Sequence, residues 1–246
     1  MKKKRGTIGV DEMNGTNRAD HMSGLDGDDF IFGKGGDDVL RGGEGGDRIY
    51  GSGGKDRIFG DGDDDLLLGD AGSDVLSGGG GNDTIVGGAG NDVIKGGDGN
   101  DRMFSNLGND RMNGGDGDDY YEFGKGTVTA NDLEGNDEYV ITADCTVTID
   151  DQDGMDKLRF KDIESGFTIT MRELMFQRSG DDLVITVDGY RGSTTITFFY
   201  AEENYQIEKI YDEDPEHTSG YVLTDEAILN LSNGDEPIRG IDLWEM

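Results

Sequence analysis

Large, mostly apolar side chains recur along the first half of the chain at one interval. They are Met13, Met22, Ile31, Leu40, Ile49, Ile58, Leu67, Leu76, Ile85, Ile94, Met103, Met112 and Tyr121, each nine residues from the next. An amphipathic helix needs apolar positions three and four apart, so this spacing excludes one. It predicts instead a short strand in the last three residues of each nine, with the large residue pointing inward and its neighbours outward. The first six residues are then left to turn the chain. One such strand cannot bury its side chain alone, whereas stacked repeats bury a continuous row.

The polar positions keep the same frame. Residues 78–104 read GGGGNDTIV, GGAGNDVIK, GGDGNDRMF, one unit three times without a gap. Thirteen units run over residues 6–122, and aspartate holds the sixth position of each, from Asp11 to Asp119. The first position is glycine except at Ser105, and the fourth is glycine except at Arg18 and Asp63. Glycine tolerates positive φ and close backbone approach, so its recurrence at positions one and four predicts a tight turn.

This pattern resembles the GGxGxDxUx calcium-binding repeats of the RTX (repeats-in-toxin) exoproteins. The resemblance is strict over residues 6–122 and looser beyond. It implies an all-β fold, a parallel β-roll solenoid followed by a β-rich C-terminal cap. It also implies calcium held between adjacent turns of one stack. The predicted ligands are Asp29, Asp38, Asp47, Asp56, Asp65, Asp74, Asp83, Asp92, Asp101, Asp110 and Asp119. The best-formed turns add Gly42, Gly43, Gly45, Gly78, Gly79, Gly81, Gly87, Gly88, Gly90, Gly96, Gly97 and Gly99.

Electrostatics agree with that implication. Units eighteen apart stack at about 4.8 Å, each with a carboxylate at the same height. Each pair repels by under about 1 kcal/mol in water and by more where solvent is excluded. Calcium takes six to eight oxygens from carboxylates and carbonyls, and such a turn offers both. Stacks of seven and six turns hold at most about 11 ions, which would bring the formal charge of −32 to about −10. Glycine-rich acidic sequence of low hydrophobicity is disordered by default, and that is the expectation for this stretch without calcium.

The 54 acidic against 22 basic residues argue against nucleic acid and anionic membranes as general partners. The single cysteine, Cys145, permits no internal disulfide and reads as a small buried hydrophobe. No apolar run is long enough to span a membrane. The basic start MKKKR has no apolar segment behind it and so is not a signal peptide. Of its two remaining readings, a solvated terminus is preferred to polyanion binding. Residues 6–23 keep the frame but lose glycines at Thr7, Thr16, Arg18 and Ala19, which marks an N-terminal cap. The acidic turn DGDDD at 61–65 reads as a calcium turn of altered geometry.

The outward neighbours of the inward row differ between alternate units. One set shows Phe30, Phe32, Tyr50, Leu66, Leu68, Val86, Phe104 and Tyr120. The other shows Val39, Arg41, Arg57, Phe59, Val75, Val93, Lys95 and Arg111. The first face is therefore expected to be covered, by the C-terminal region or by a protein or glycan partner.

Beyond Glu122 the frame dissolves. FGKGTVT and EGNDEYVI look like remnants of the repeat, and DDQDGMD at 150–156, which fails the EF-hand register, reads as a hairpin turn. Residues 123–224 read as a β-rich capping segment. Residues 225–246 read as a tail that begins helical at DEAILNL. By resemblance that tail is an uncleaved signal for type I secretion, and the protein is then secreted or held at the cell surface. No HExxH, GxSxG or phosphate-binding loop is present, and His21 and His217 are isolated, so no catalysis is expected. An ice-binding roll would need rows of threonine at one turn position, which position three lacks. Two readings remain: a calcium-dependent folding and secretion module, and a calcium-stabilised adhesion or ligand-binding module.

Overall fold

A computed structural model describes residues 2–132, 134–142, 145–150, 154, 156–161, 174–179, 182–187, 193–196, 209–211, 222–223 and 238–239. Among them every regular element is a strand. The chain divides into two compact units, Met1–Tyr120 and Tyr121–Met246.

In the first unit the strands are β1 (Lys2–Arg5), β2 (Glu12–Asn14), β3 (Asp20–Asp26), β4 (Phe30–Gly35), β5 (Val39–Glu44) and β6 (Arg48–Gly53). They continue as β7 (Arg57–Gly62), β8 (Leu66–Ala71), β9 (Val75–Gly80), β10 (Thr84–Ala89), β11 (Val93–Asp98) and the long β12 (Arg102–Asp116). Pairing is parallel and always joins residues eighteen apart, as in Ile31 opposite Ile49 and Leu40 opposite Ile58; β1 to β10 each pair with the next strand but one, and the long β12 pairs with both β10 and β11. The nine-residue period thus yields two alternating parallel sheets. The inward row packs between them, and every member from Ile31 to Met103 is 0% exposed.

Two sequence expectations change. Strands β4 to β11 are six residues long and run from position seven of one unit through position three of the next, so only positions four to six turn the chain there. The first glycine therefore sits inside a strand, on the buried face. And Lys2–Arg5 is not a ragged end, although Lys3 and Arg5 are exposed. It is a strand paired with β3, with Lys3 opposite His21 and Arg5 opposite Ser23.

In the second unit parallel pairing recurs on a longer period. The strands here are β13 (Tyr120–Phe123), β14 (Lys125–Asn131), β15 (Glu138–Thr142), β16 (Cys145–Asp150) and β17 (Lys157–Lys161). Pairing is parallel between β14 and β16, with Val128 opposite Val147, and between β15 and β17, with Tyr139 opposite Leu158. Both offsets are nineteen. The expected hairpin at 150–156 does not form between β16 and β17, which pair in parallel with different strands; residues 151–153 and 155 of that segment lie outside the described residues. Asp156 repeats the first unit's arrangement there, its Oδ1 accepting from the Asp137 N–H at 2.8 Å. Tyr121 stacks on Tyr139 at 4.8 Å between ring centroids and donates to Asp132 Oδ2 at 2.5 Å. Cys145 is buried, as expected.

The remaining strands are β18 (Leu174–Ser179), β19 (Asp182–Val187), β20 (Ser193–Ile196), β21 (Lys209–Tyr211), β22 (Val222–Leu223) and β23 (Ile238–Arg239). Here β18, β19 and β20 run antiparallel in succession, and β20 joins β16 in parallel. The helical expectation for DEAILNL and the proposed secretion signal lie outside the described residues, apart from Ile238 and Arg239.

Candidate metal centre

The turns place the sixth-position aspartates in two buried columns. Asp29, Asp38, Asp47, Asp56, Asp65, Asp74, Asp83, Asp92, Asp101, Asp110 and Asp119 are all 4% exposed or less. Each turns one oxygen back along its column: Oδ1 accepts the backbone N–H of the aspartate eighteen residues earlier, at 2.7–2.9 Å. The other oxygen is different. In Asp29, Asp38, Asp47, Asp56, Asp65, Asp74, Asp83, Asp92 and Asp110, Oδ2 is buried and has no hydrogen-bond partner. A buried polar oxygen without a donor costs about 1–3 kcal/mol, more when charged.

Glycine at position one makes room for that oxygen. A Cβ on Gly42 would lie 1.9 Å from Asp47 Oδ2 and 2.8 Å from the Gly60 carbonyl oxygen. The same two oxygens, the unit's own carboxylate and the carbonyl one turn on, converge at Gly24, Gly33, Gly51, Gly60, Gly69 and Gly96. At Gly87 Asp92 Oδ2 is joined by the Ser105 carbonyl oxygen, and at Gly78 the approaching oxygen is Asp83 Oδ2. Position one is thus glycine for close approach, not for φ. Positive φ falls at positions two and four, as at Gly43, Gly79, Gly88 and Gly97, and at Gly45, Gly81, Gly90 and Gly99. Asp63 keeps this turn with φ +69°, so DGDDD preserves the geometry, whereas Arg18 does not adopt it.

In the two N-terminal turns Oδ2 has donors. Thr7 donates its N–H and its hydroxyl to Asp11 Oδ2, at 2.5 and 3.0 Å. Thr16 does the same to Asp20 Oδ2, at 2.7 and 2.9 Å. Where the glycine pattern fails, the chain supplies its own donors.

A second column, invisible in the nonamer pattern, runs at position five. Its side chains accept N–H groups from the turn eighteen residues later: Asp28 from Gly46, Asp37 from Lys55, Asp64 from Asn82, Ser73 from Asn91, Asn82 from Asn100, Asn91 from Asn109 and Asn100 from Asp118. The two columns reach in opposite directions and tie each turn to both neighbours. The signal was the Asp, Asn and Ser enrichment at a position read as free. Gly46 and Lys55 interrupt it.

Burial disfavours the charged carboxylate. It pushes Asp65 up to about 8, Asp74 to about 7, and Asp38, Asp47, Asp83 and Asp110 to about 6. Asp29, Asp56 and Asp92 are raised by the same cause. The N–H bond along the column opposes the rise, and in most of these turns neighbouring carboxylates add to it. Acceptor-only groups, repelling one another and facing backbone carbonyls, fit a hard cation with oxygen ligands.

The model of the RTX calcium-binding nonapeptide repeat matches residues 5–40, 32–67, 41–76, 77–112 and 95–130, just over half of the chain. The chain belongs to this RTX family. Its β-roll is a calcium-binding module. No curated protein matches the RTX chain. The extracellular lipase LipA from Serratia marcescens aligns at 16% identity and a TM-score of 0.20, over 85% of this chain and 40% of the lipase. That likeness is too low to bear on fold or function, and the chain spans less than half of the lipase's length. No helix among the described residues is long and apolar enough to cross a membrane.

Proposed function

We propose that the roll is a calcium-dependent folding switch in a protein that works outside the cell. The observation that carries this reading is the set of nine buried carboxylate oxygens without donors. A structure that buries them uncompensated is disfavoured, and a cation with oxygen ligands compensates them. Ions placed between turns eighteen apart would serve three gaps in one column (Asp29, Asp47, Asp65, Asp83) and four in the other (Asp38, Asp56, Asp74, Asp92, Asp110). Asp101 and Asp119 extend the first column. The carbonyls of position one, such as Gly60 and Gly78, are further ligands.

In calcium-poor cytosol a chain of charge −32 stays expanded and can pass through a type I secretion channel. In extracellular calcium the columns fill, and binding free energy becomes folding free energy. Size-exclusion chromatography with light scattering tests this reading. The monomer should elute as an expanded coil in chelator and as a compact particle in calcium. Compact elution in both would remove the switch.

A second reading, a surface ligand-binding module, draws on the apolar sheet face. Phe32 and Tyr50 stack there at 4.9 Å with ring planes 9° apart, and Phe30 is 36% exposed. Calcium would then hold the face in shape.

A further inference from the structure

Position two of the nine-residue unit separates the first two turns from the rest. From Leu25 to Gly115 every unit holds it at positive φ, between 66° and 133°. Thr7 and Thr16 do not adopt positive φ, and neither do Gly9 and Arg18 two places on. The side chain accounts for the difference. Leu25, Lys34, Ser52, Asp61 and Asn106 take the left-handed conformation, but a β-branched residue is badly strained there. The backbone in turn decides what the carboxylate meets. In the nine turns with an unmet Oδ2, position two is left-handed and its N–H does not reach that oxygen. At Thr7 and Thr16 the N–H points at Oδ2 of Asp11 and Asp20, at 2.5 and 2.7 Å, and the hydroxyl closes on the same oxygen at 3.0 and 2.9 Å. Other parts of the cradle are kept. A Cβ on Gly6 would lie 2.7 Å from Asp11 Oδ2 and 2.4 Å from the Gly24 carbonyl oxygen, and one on Gly15 would lie 2.2 Å from the Gly33 carbonyl oxygen. At the second turn Arg18 and Lys34, both exposed, line a depression of about 610 Å³ together with Thr16 and Asp20.

We infer that Thr7 and Thr16 close the calcium columns at their N-terminal end. An N–H and an O–H bring to Oδ2 the positive partner that an ion brings in the later turns, and they take up the lone pairs the ion would need. The gaps between Asp11 and Asp29 and between Asp20 and Asp38 therefore take no calcium. At the second gap the cations of Arg18 and Lys34 add repulsion. The roll thus begins with two turns held by the chain's own donors, and its ion columns start at Asp29 and Asp38. Threonine is suited to this role on two counts: its hydroxyl supplies the second donor, and its branched Cβ keeps the backbone out of the left-handed region that the ion-binding turns share. The inference rests on the calcium reading of the later turns, and the experiment below separates the two.

The test is the number of calcium ions held by the full chain at saturating calcium, counted by native mass spectrometry. T7G restores glycine at position two of the first unit, and T16G/R18G restores glycine at positions two and four of the second. Each variant should hold one ion more than the parent chain. D11N/D20N should hold as many as the parent, whereas D47N should hold at least one fewer. Circular dichroism in calcium shows whether each variant keeps the fold, and if a glycine variant does not, the D11N/D20N count decides alone. Folded glycine variants that gain no ion, or a D11N/D20N chain that loses ions, would overturn the inference. A parent chain that holds no calcium would overturn the calcium reading, and this inference with it.

Discussion

Asp47 accepts the Asp29 backbone N–H on Oδ1 at 2.7 Å, while its Oδ2 is buried without a donor against Gly42. One oxygen builds the column and the other is left for a cation. The division explains why aspartate holds this position in the units that follow the two N-terminal ones. Asparagine could supply the acceptor, but it would bring no charge to the ion.

Gly42→Ala should therefore disable a site without removing a ligand oxygen. The new Cβ would lie 1.9 Å from Asp47 Oδ2 and must displace it. Overpacking of this kind costs about 1–3 kcal/mol. Gly80→Ala is the control, since nothing lies within 4 Å of its Cβ position. Thermal melts in calcium should show Gly42→Ala clearly destabilised and Gly80→Ala close to the parent protein. Equal melts would mean that the carboxylate does not occupy that space.

Protons should substitute in part for calcium. The buried aspartates have folded-state pKa values raised above the ordinary 3.8, to about 6 at Asp38 and about 8 at Asp65. The metal-free folded state therefore binds more protons than the unfolded chain. Its stability is fully present below about pH 4 and is lost as pH rises through the 6–8 window. Calcium-free protein should gain β signal on acidification from pH 8 to pH 4.5, and its calcium midpoint should fall as pH rises through the same range. A calcium-free chain that stays unstructured down to pH 4 would contradict this.

The position-five column predicts a gain. Lys55 accepts no N–H there, whereas Asn82 accepts from Asn100 at 2.9 Å. Lys55→Asn should extend the column to the next turn and add about 0.5–1.5 kcal/mol. For a domain of this size that raises the melting temperature of the calcium form by a few degrees. Asn82→Ala should lower it by a similar amount. Differential scanning calorimetry of the two variants reads both shifts.

The period of nine made much of this legible. It placed Ile49 opposite Ile31, buried the inward row and lined up the aspartates, because an invariant repeat leaves one register available. The role of the first glycine was not legible, since close approach by the carboxylate of Asp47 depends on side-chain direction rather than on composition. Thr7 and Thr16 looked like lost glycines, and only their hydroxyl contacts show that they satisfy Asp11 and Asp20. The turns beyond Glu122 escaped because their period lengthens to nineteen. A single added residue breaks a frame of nine, while the backbone still pairs Tyr139 with Leu158.

The calcium switch is tested most directly by far-UV circular dichroism of chelated protein titrated with calcium, with magnesium as the control. The account predicts a disordered spectrum at neutral pH in chelator and a cooperative rise of β signal at about 0.1–1 mM calcium, the range of extracellular calcium modules. Magnesium should produce no such rise, since it demands smaller octahedral sites. A full β spectrum in chelator, unchanged by calcium, would contradict the switch and leave a preformed roll that calcium only stabilises.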